Sequence, residues 1–338
     1  MLYRGMDRVA LDAAYNNTAA VGQAARDRYV ADWATRSDRL RKARGGSIDV
    51  RYGAGPRQRL DVFDCGMPPA PTLVYIHGGY WQMNDKEPYA FLGEGVLDAG
   101  FNLALVEYTL APAARLDEIA AEVRAAVAWV IDHAKQFGGD PGRVFVTGHS
   151  AGGHLTAMAM DDGRVAGGIA ISGIYDLEPI RLNYLNEKLR LDEAEAARNS
   201  PILHLPSGAS PLVVTVGLGE LPELIRQSEE YARAWQQRGL SGEYLPLALA
   251  FLSTQFRLAL VSKESGLRSP QQIVGHFSRA GVPMWSSRAE QVWQTVSKFS
   301  RPQIERALGL IYKADKGLRD ARPDDRTVIE HFILELVG

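Results

Sequence analysis

Cysteine is almost missing from this chain of 338 residues. Cys65 stands alone, so an internal disulfide and a cysteine-built metal cage are both excluded. Long apolar runs are missing too: none reaches the roughly 18 residues that a membrane-spanning helix needs. The amino-terminal stretch MLYRGMDRVALDAAYNN carries charge at Arg4, Asp7 and Arg8 and has no apolar core, against a signal peptide. Nor does one charge dominate. The 38 basic residues face 40 acidic ones, net −2, so bulk charge gives no nucleic-acid surface. Internal repeats and low-complexity linkers do not occur. These absences point to a cytoplasmic protein that works without metal, other cofactor or membrane.

What is present is ordinary globular material, 46% apolar and 23% charged. Its length suits one large domain or two unequal ones. Between Ser47 and Leu247, β-rich apolar runs alternate with helical stretches. Strands are expected over Ser47–Tyr52, Arg59–Asp64, Pro71–His77, Phe101–Tyr108, Arg143–Gly148, Ala166–Ser172, Leu212–Gly217 and Ser241–Leu247. Helices over Asp117–Phe137, Ser150–Met160 and Glu223–Gly239 lie between them, and Asp27–Ala43 reads as a charged helix in front. PTLVYIH and PLVVTVG are nearly unbroken apolar runs, as in parallel strands covered on both faces. The alternation predicts an α/β fold, a mostly parallel sheet flanked by helices.

After Leu247 the strand signals stop. Leu249–Lys263, Ser286–Phe299, Pro302–Gly317 and Thr327–Val337 read as amphipathic helices, with Ser300-Arg301-Pro302 as a helix entry. The charge balance changes at the same place. From Leu247 onward 13 basic residues outnumber 9 acidic ones, while the rest of the chain carries 25 against 31. Residues 1–247 are expected as one domain and 248–338 as an appended all-helical unit.

The chemistry centres on Gly148-His149-Ser150-Ala151-Gly152, a G-x-S-x-G sequence between the strand RVFVTG and the helical stretch AGGHLTAMAM. A tight strand-to-helix turn of this kind lifts a serine hydroxyl clear of the sheet, and flanking glycines relieve the crowding. The N–H of Ala151 then lies at a helix amino terminus, suited to stabilising an oxyanion. A second signal, His77-Gly78-Gly79-Tyr80-Trp81, starts 73 residues before the serine and follows the strand PTLVYI. Gly78 and Gly79 would add oxyanion donors, and His77 would shape the loop by hydrogen bonding. Tyr80 and Trp81 would form a wall for a planar acyl substrate. Each motif alone also reads as a glycine-rich turn with exposed aromatics; their order and context favour the catalytic reading.

In such sites the acid follows the serine and the base follows the acid. Glu220, just beyond the strand PLVVTVG, is the expected acid, whereas Glu223 opens the next helix. Asp176, in SGIYDLEPI, follows an earlier strand and is read as a substrate or lid residue. The base is the difficulty. From Leu247 the chain reads LALAFLSTQFRLAL without a histidine, and only His276 and His331 come after Glu220. His331 lies inside an amphipathic helix, which leaves His276 to be weighed as base by placement alone. His149 and His154 flank the serine too closely to reach back around the turn, and His133 and His204 precede the acid.

Across residues 3–247 the stretches YRGMDRVALDAAYNN, RYGAGPRQRLDVF, YIHGGYW, GHSAGGHL, SGIYDLEPIRLNYLN, NSP and ELPELIRQSEEYARAW resemble the arylformamidase (kynurenine formamidase) family of α/β-hydrolases. The resemblance implies the α/β-hydrolase fold and hydrolysis of an aryl formamide or small ester, with N-formylkynurenine giving kynurenine and formate in tryptophan breakdown. It carries the nucleophile onto Ser150, the acid onto the position of Glu220, and the oxyanion loop and elbow onto Gly78, Gly79 and Ala151. The family's histidine, in an N/D-H-F stretch soon after the strand ending YLPL, has no counterpart here, which implies slow turnover.

Beyond residue 247 the resemblance changes. ALGLIYKADKGLRDARPDDRTVIEHFILEL is similar to the helical collar domain of the delta subunit of bacterial DNA polymerase III, a clamp-loader component, here without that protein's nucleotide-binding-fold domain. The chain then reads as a join of two unrelated genes, natural or artefactual. The expected partners are a small aryl formamide or ester, a second copy of the chain, and clamp-loader subunits through 248–338. The competing reading is an inactive hydrolase scaffold that carries a helical oligomerisation module.

Overall fold

Each β-rich run before residue 248 becomes a strand of one sheet. The computed structural model describes residues 1–320 apart from 281, 283 and 285. The strands are β1 (Ser47–Arg51), β2 (Arg59–Phe63), β3 (Ala70–Ile76), β4 (Asn102–Val106), β5 (Gly139–His149), β6 (Gly167–Ile171), β7 (Leu212–Gly217) and β8 (Gly242–Leu247). They lie in the order β1-β2-β4-β3-β5-β6-β7-β8. β2 runs antiparallel to β1 and β4, and β4, β3, β5, β6 and β7 pair in parallel. From β3 the chain crosses first to β4 on one side and then to β5 on the other. Loops leaving the carboxyl ends of strands at such a reversal open a crevice, the usual seat of a site in this class.

Period-two burial explains how the sheet is clothed. On β4, Ala104 and Val106 join one apolar cluster, while Leu103 and Leu105 join another on the opposite face. The first cluster is completed by α3 (Leu116–His133), whose Ile119, Val123, Val127 and Val130 recur at helical spacing. Leu40 of α2 (Gln23–Arg44) belongs to the second. Two further helices, α4 (Ala151–Ala159) and α5 (Pro222–Gln237), add Leu155, Leu224, Tyr231 and Trp235 to the first cluster. Coverage is not uniform. Ile169, on the inner strand β6, keeps 40% of its surface exposed.

The described chain divides into two compact units. One comprises Met1–Asn16, Asp27–Val216 and Glu220–Pro246; the other takes Asn17–Arg26, Gly217–Gly219 and the described residues from Leu247 onward. The second unit is built from α6 (Ala248–Glu264), α7 (Pro270–Arg279), α8 (Ser286–Lys298) and α9 (Arg301–Asp320). Phe256, Ala259, Ile273, Phe277, Val292, Ile304 and Ile311 form its own core. The helix α7 was not expected as an element. Its start is nevertheless chemically marked, because the Ser269 hydroxyl accepts the Gln272 N–H at 3.3 Å and Pro270 follows in the first turn. The expected helix Thr327–Val337 lies outside the described residues. No helix among the described residues is long and apolar enough to cross a membrane.

Close packing of backbone fixes where β3, β5 and α4 meet. A Cβ placed on Gly152 would lie 2.0 Å from the Ile76 carbonyl oxygen, and one on Gly148 would lie 2.4 Å from the Gly152 carbonyl oxygen. Gly152→Ala is expected to lower stability by about 3 kcal/mol through overpacking, read as a fall in the urea midpoint. Gly163→Ala, where a Cβ meets nothing within 4 Å, is expected to stay within about 1 kcal/mol of the parent. Equal midpoints for the two variants would show that the seam is not tight.

Candidate active site

Ser150 stands between β5 and α4 with φ 58° and ψ −117°. A non-glycine residue held there is strained, and such strain persists only where the surroundings over-determine it. Two backbone bonds do so: Ser150 N–H donates to the Ile171 carbonyl at 2.8 Å, and the Ser150 carbonyl accepts the His154 N–H at 3.0 Å. Only 6% of the residue is exposed.

The loop after β3 lies directly against this turn. A Cβ on Gly78 would meet the His149 carbonyl oxygen at 2.5 Å and the Ser150 Cβ at 3.3 Å, so only glycine fits. Gly79 adopts φ 119°, where its own Cβ would strike the Met83 carbonyl oxygen at 2.3 Å. Among the described residues, the N–H groups of Gly78 and Gly79 donate to no protein acceptor. The N–H of Ala151, first in α4, has no partner within its helix either. These are the donors that the sequence expects for an oxyanion, and Gly78 is in contact with the Ser150 turn.

Behind the loop sits a polar hub that the sequence reading did not find. Glu107, fully buried at the end of β4, accepts from Arg57 at 2.5 Å, from the Lys86 N–H at 3.0 Å and from the Tyr108 N–H at 3.1 Å. Its Oε1 lies 3.1 Å from His77 Nε2. His77 is also buried, stacked on Tyr108 with ring centroids 4.3 Å apart, and its carbonyl accepts the Tyr108 hydroxyl at 2.8 Å. Asn84 Nδ2 donates to the Gly78 carbonyl at 3.0 Å. His77 therefore shapes the loop. A carboxylate inside FNLALVEY, an otherwise apolar strand, was the signal available, since a buried charge requires partners. Asp85, Glu87 and Glu107 are near enough to one another to share a cation, but Arg57 and Lys86 already pair with them.

The aromatic pair of the loop behaves differently from the expected wall. Trp81 is 0% exposed, and its indole N–H donates to His154 Nδ1 at 3.2 Å. It offers no surface to a ligand and supports the loop from behind. Tyr80 is nearly as buried, and its hydroxyl donates to the Tyr15 carbonyl at 2.6 Å. Asp176 is half-buried; it accepts the Tyr3 hydroxyl at 2.6 Å and the Glu178 N–H at 3.0 Å. Burial, then the bond to Asp176, pushes the Tyr3 pKa up to about 12.

Glu220 is also half-buried and accepts the Ser172 hydroxyl at 2.5 Å. Its charge acts on His149, the residue before Ser150. Part of His149 is exposed, yet the protein around its imidazole desolvates it enough to hold its pKa below the usual histidine range, against the pull of Glu220. Glu223 pairs with Arg226 in the first turn of α5. His276 lies in α7 of the helical unit, its ring edge-on to Phe277 at 5.2 Å. His331 is outside the described residues. After β8 ends at Leu247, α6 begins at Ala248, so helix replaces the loop in which the resemblance seats a histidine.

The BD-FAE family model matches residues 64–165. Kynurenine formamidase of Danio rerio is 34% identical over 219 residues, 60% of this chain and 73% of that protein. The Salmo salar protein of the same name is 35% identical over 202 residues, covering 55% and 67%. The chain belongs to the kynurenine formamidase family. A solved structure from Silicibacter sp. TM1040, assigned as a thioesterase, superposes with a TM-score of 0.63 at 30% identity, over 70% of this chain and 90% of that one. This formamidase-family chain therefore has the α/β-hydrolase fold and falls in the class of amide and ester hydrolases.

His154 gives the family scaffold a pH response. Its Nε2–H donates to the Asn199 carbonyl at 2.7 Å, its Nδ1 accepts from Trp81, and it is fully buried. Desolvation lowers its pKa to about 4, with Arg124 adding to the effect. The unfolded chain therefore takes up the proton first as pH falls, and the stability owed to neutral His154 disappears between about pH 6.5 and pH 4. The expected loss is on the order of 3 kcal/mol. Urea titrations across this range should show a shallower slope for His154→Gln; identical slopes would refute the assignment.

Proposed function

We propose that this chain hydrolyses a small aryl formamide, N-formylkynurenine or a relative of it, or a small ester, with Ser150 as nucleophile. The observation that carries the reading is the strained Ser150 turn packed against Gly78. In the proposed reaction the Ser150 hydroxyl oxygen attacks the formyl carbon and loses its proton. The N–H groups of Gly78, Gly79 and Ala151 face the oxyanion that develops. Collapse of the adduct expels the arylamine, which takes up a proton, and leaves a formyl ester on Ser150. Water then releases formate.

A serine hydroxyl is a weak nucleophile without a base to take its proton. Glu220 supports such a base in this reading, and His276 is the residue to test in that role. Oxyanion donors and binding alone leave about 10³–10⁴-fold acceleration over water in triad enzymes that lack a member. Formate release from N-formylkynurenine is expected to be slow, abolished in Ser150→Ala and unchanged in His276→Ala. Vigorous turnover that disappears in His276→Ala would identify His276 as the base. Absence of any Ser150-dependent release, together with no labelling of Ser150 by a fluorophosphonate, would refute the hydrolytic reading.

For residues 248–338 the proposal is an oligomerisation module like the clamp-loader collar. The separate apolar core of the helical unit supports this. Co-purification of the full chain with clamp-loader subunits tests it, and a chain that elutes free of them counts against it.

A further inference from the structure

The amino-terminal segment contributes no strand to the sheet, yet its hydrogen bonds reach three parts of the site. Two of them converge on Tyr15, which follows α1 (Arg8–Ala14) and is fully buried. Its carbonyl accepts the Tyr80 hydroxyl at 2.6 Å. Its own hydroxyl accepts from Gln227 Nε2 at 2.7 Å and donates to Glu223 at 3.2 Å. Gln227, 1% exposed on α5, uses its remaining capacity on the loop after β6. Its oxygen accepts the N–H groups of Tyr175 and Asp176 at 2.6 and 2.8 Å, and its nitrogen also reaches the Asp176 carbonyl at 3.2 Å. Tyr3 reaches the Asp176 carboxylate from the same segment.

The loop that Tyr15 grips is under backbone strain. Tyr80 has φ 50° and Trp81 φ 59°, directly after Gly79 at φ 119°. Two successive non-glycine residues in the left-handed region are held there only by their surroundings. Trp81 is secured by its bond to His154. The Tyr80 hydroxyl is secured by the Tyr15 carbonyl, which belongs to a segment 65 residues earlier in the chain.

We propose that Tyr15 is a positioning residue of the hydrolase site. Through it the amino-terminal segment holds the oxyanion loop in its strained form and ties that loop to the Asp176 loop and to α5. The donors of Gly78 and Gly79 are thereby set before substrate arrives, which is how an oxyanion site avoids reorganisation during the reaction. The consequence for turnover rests on the formamidase reading; the consequence for the loop does not.

Hydrogen exchange on the full chain separates the two. The N–H groups of Gln82 and Met83 both donate to the Gly79 carbonyl, at 3.0 and 3.2 Å, and report whether the loop keeps its shape. Tyr80→Phe removes one oxygen and the bond to Tyr15. It is expected to speed exchange at Gln82 and Met83 by about fivefold or more through local opening, with the thermal midpoint nearly unchanged. Tyr15→Phe removes the bonds to Gln227 and Glu223 and is expected to speed exchange at Tyr175 and Asp176 as well. If Tyr15→Phe does not fold, Tyr80→Phe decides alone. Parental exchange at Gln82 and Met83 in Tyr80→Phe overturns the proposal, whatever the enzyme's activity. Where formate release is measurable, Tyr80→Phe should lower kcat about ten- to a hundredfold with KM little changed. A parent without turnover, but with the exchange response, sinks the formamidase reading and leaves the positioning role standing.

Discussion

The site depends on backbone approaching backbone more closely than any side chain would permit. Gly78 against His149 and Ser150, Gly152 against Ile76, and Gly148 against Gly152 form one seam between the loop after β3, the Ser150 turn and the helix after it. The parallel pairing of β3 with β5 sets Ile76 beside Gly148, so the two loops leave the sheet side by side. Pairing of His149 with Ile171 and of Ile171 with Thr215 brings Ser172 and Glu220 to the same end. Ser150, the loop of Gly78 and Gly79 and the Glu220 carboxylate are thus gathered by register before any side-chain preference acts.

The strands were legible because apolar runs bounded by glycine and proline are a local signal, and their observed ends differ from the expected ones by a few residues at most. Ser150 and the two glycines were legible for a related reason. A turn this crowded admits few residue types, so composition betrays geometry. The short helices at 178–181, 186–189 and 193–198 left no periodic trace, each being too brief for a pattern to repeat. The hub around Glu107 and the grip of Tyr15 on Tyr80 were hidden because they join residues 21 to 65 positions apart. Trp81 shows the opposite failure. An aromatic after an oxyanion loop looks like a substrate wall, but its indole N–H found a buried histidine and the ring went inward.

Glu220 accepts a serine hydroxyl, and Ser172 itself occupies the left-handed region at φ 50°. Its charge also acts on His149, the residue before Ser150. The chain passes from β8 into α6 without a loop. Ser150 and the loop of Gly78 and Gly79 belong to residues 77–151, and the bonds and close contacts described for them come from residues before 248.

The Glu107 hub has a consequence for how the protein meets its medium. Exposed ion pairs such as Arg44 with Asp98 are bathed in counter-ions and fade as salt rises. Glu107 and His77 have no exposed surface, and the dissolved ions that screen a surface pair cannot come between them. Salt can therefore loosen the protein's periphery and leave the shape of the oxyanion loop alone. In ionic terms, the loop is insulated by the same burial that makes its carboxylate expensive to place there.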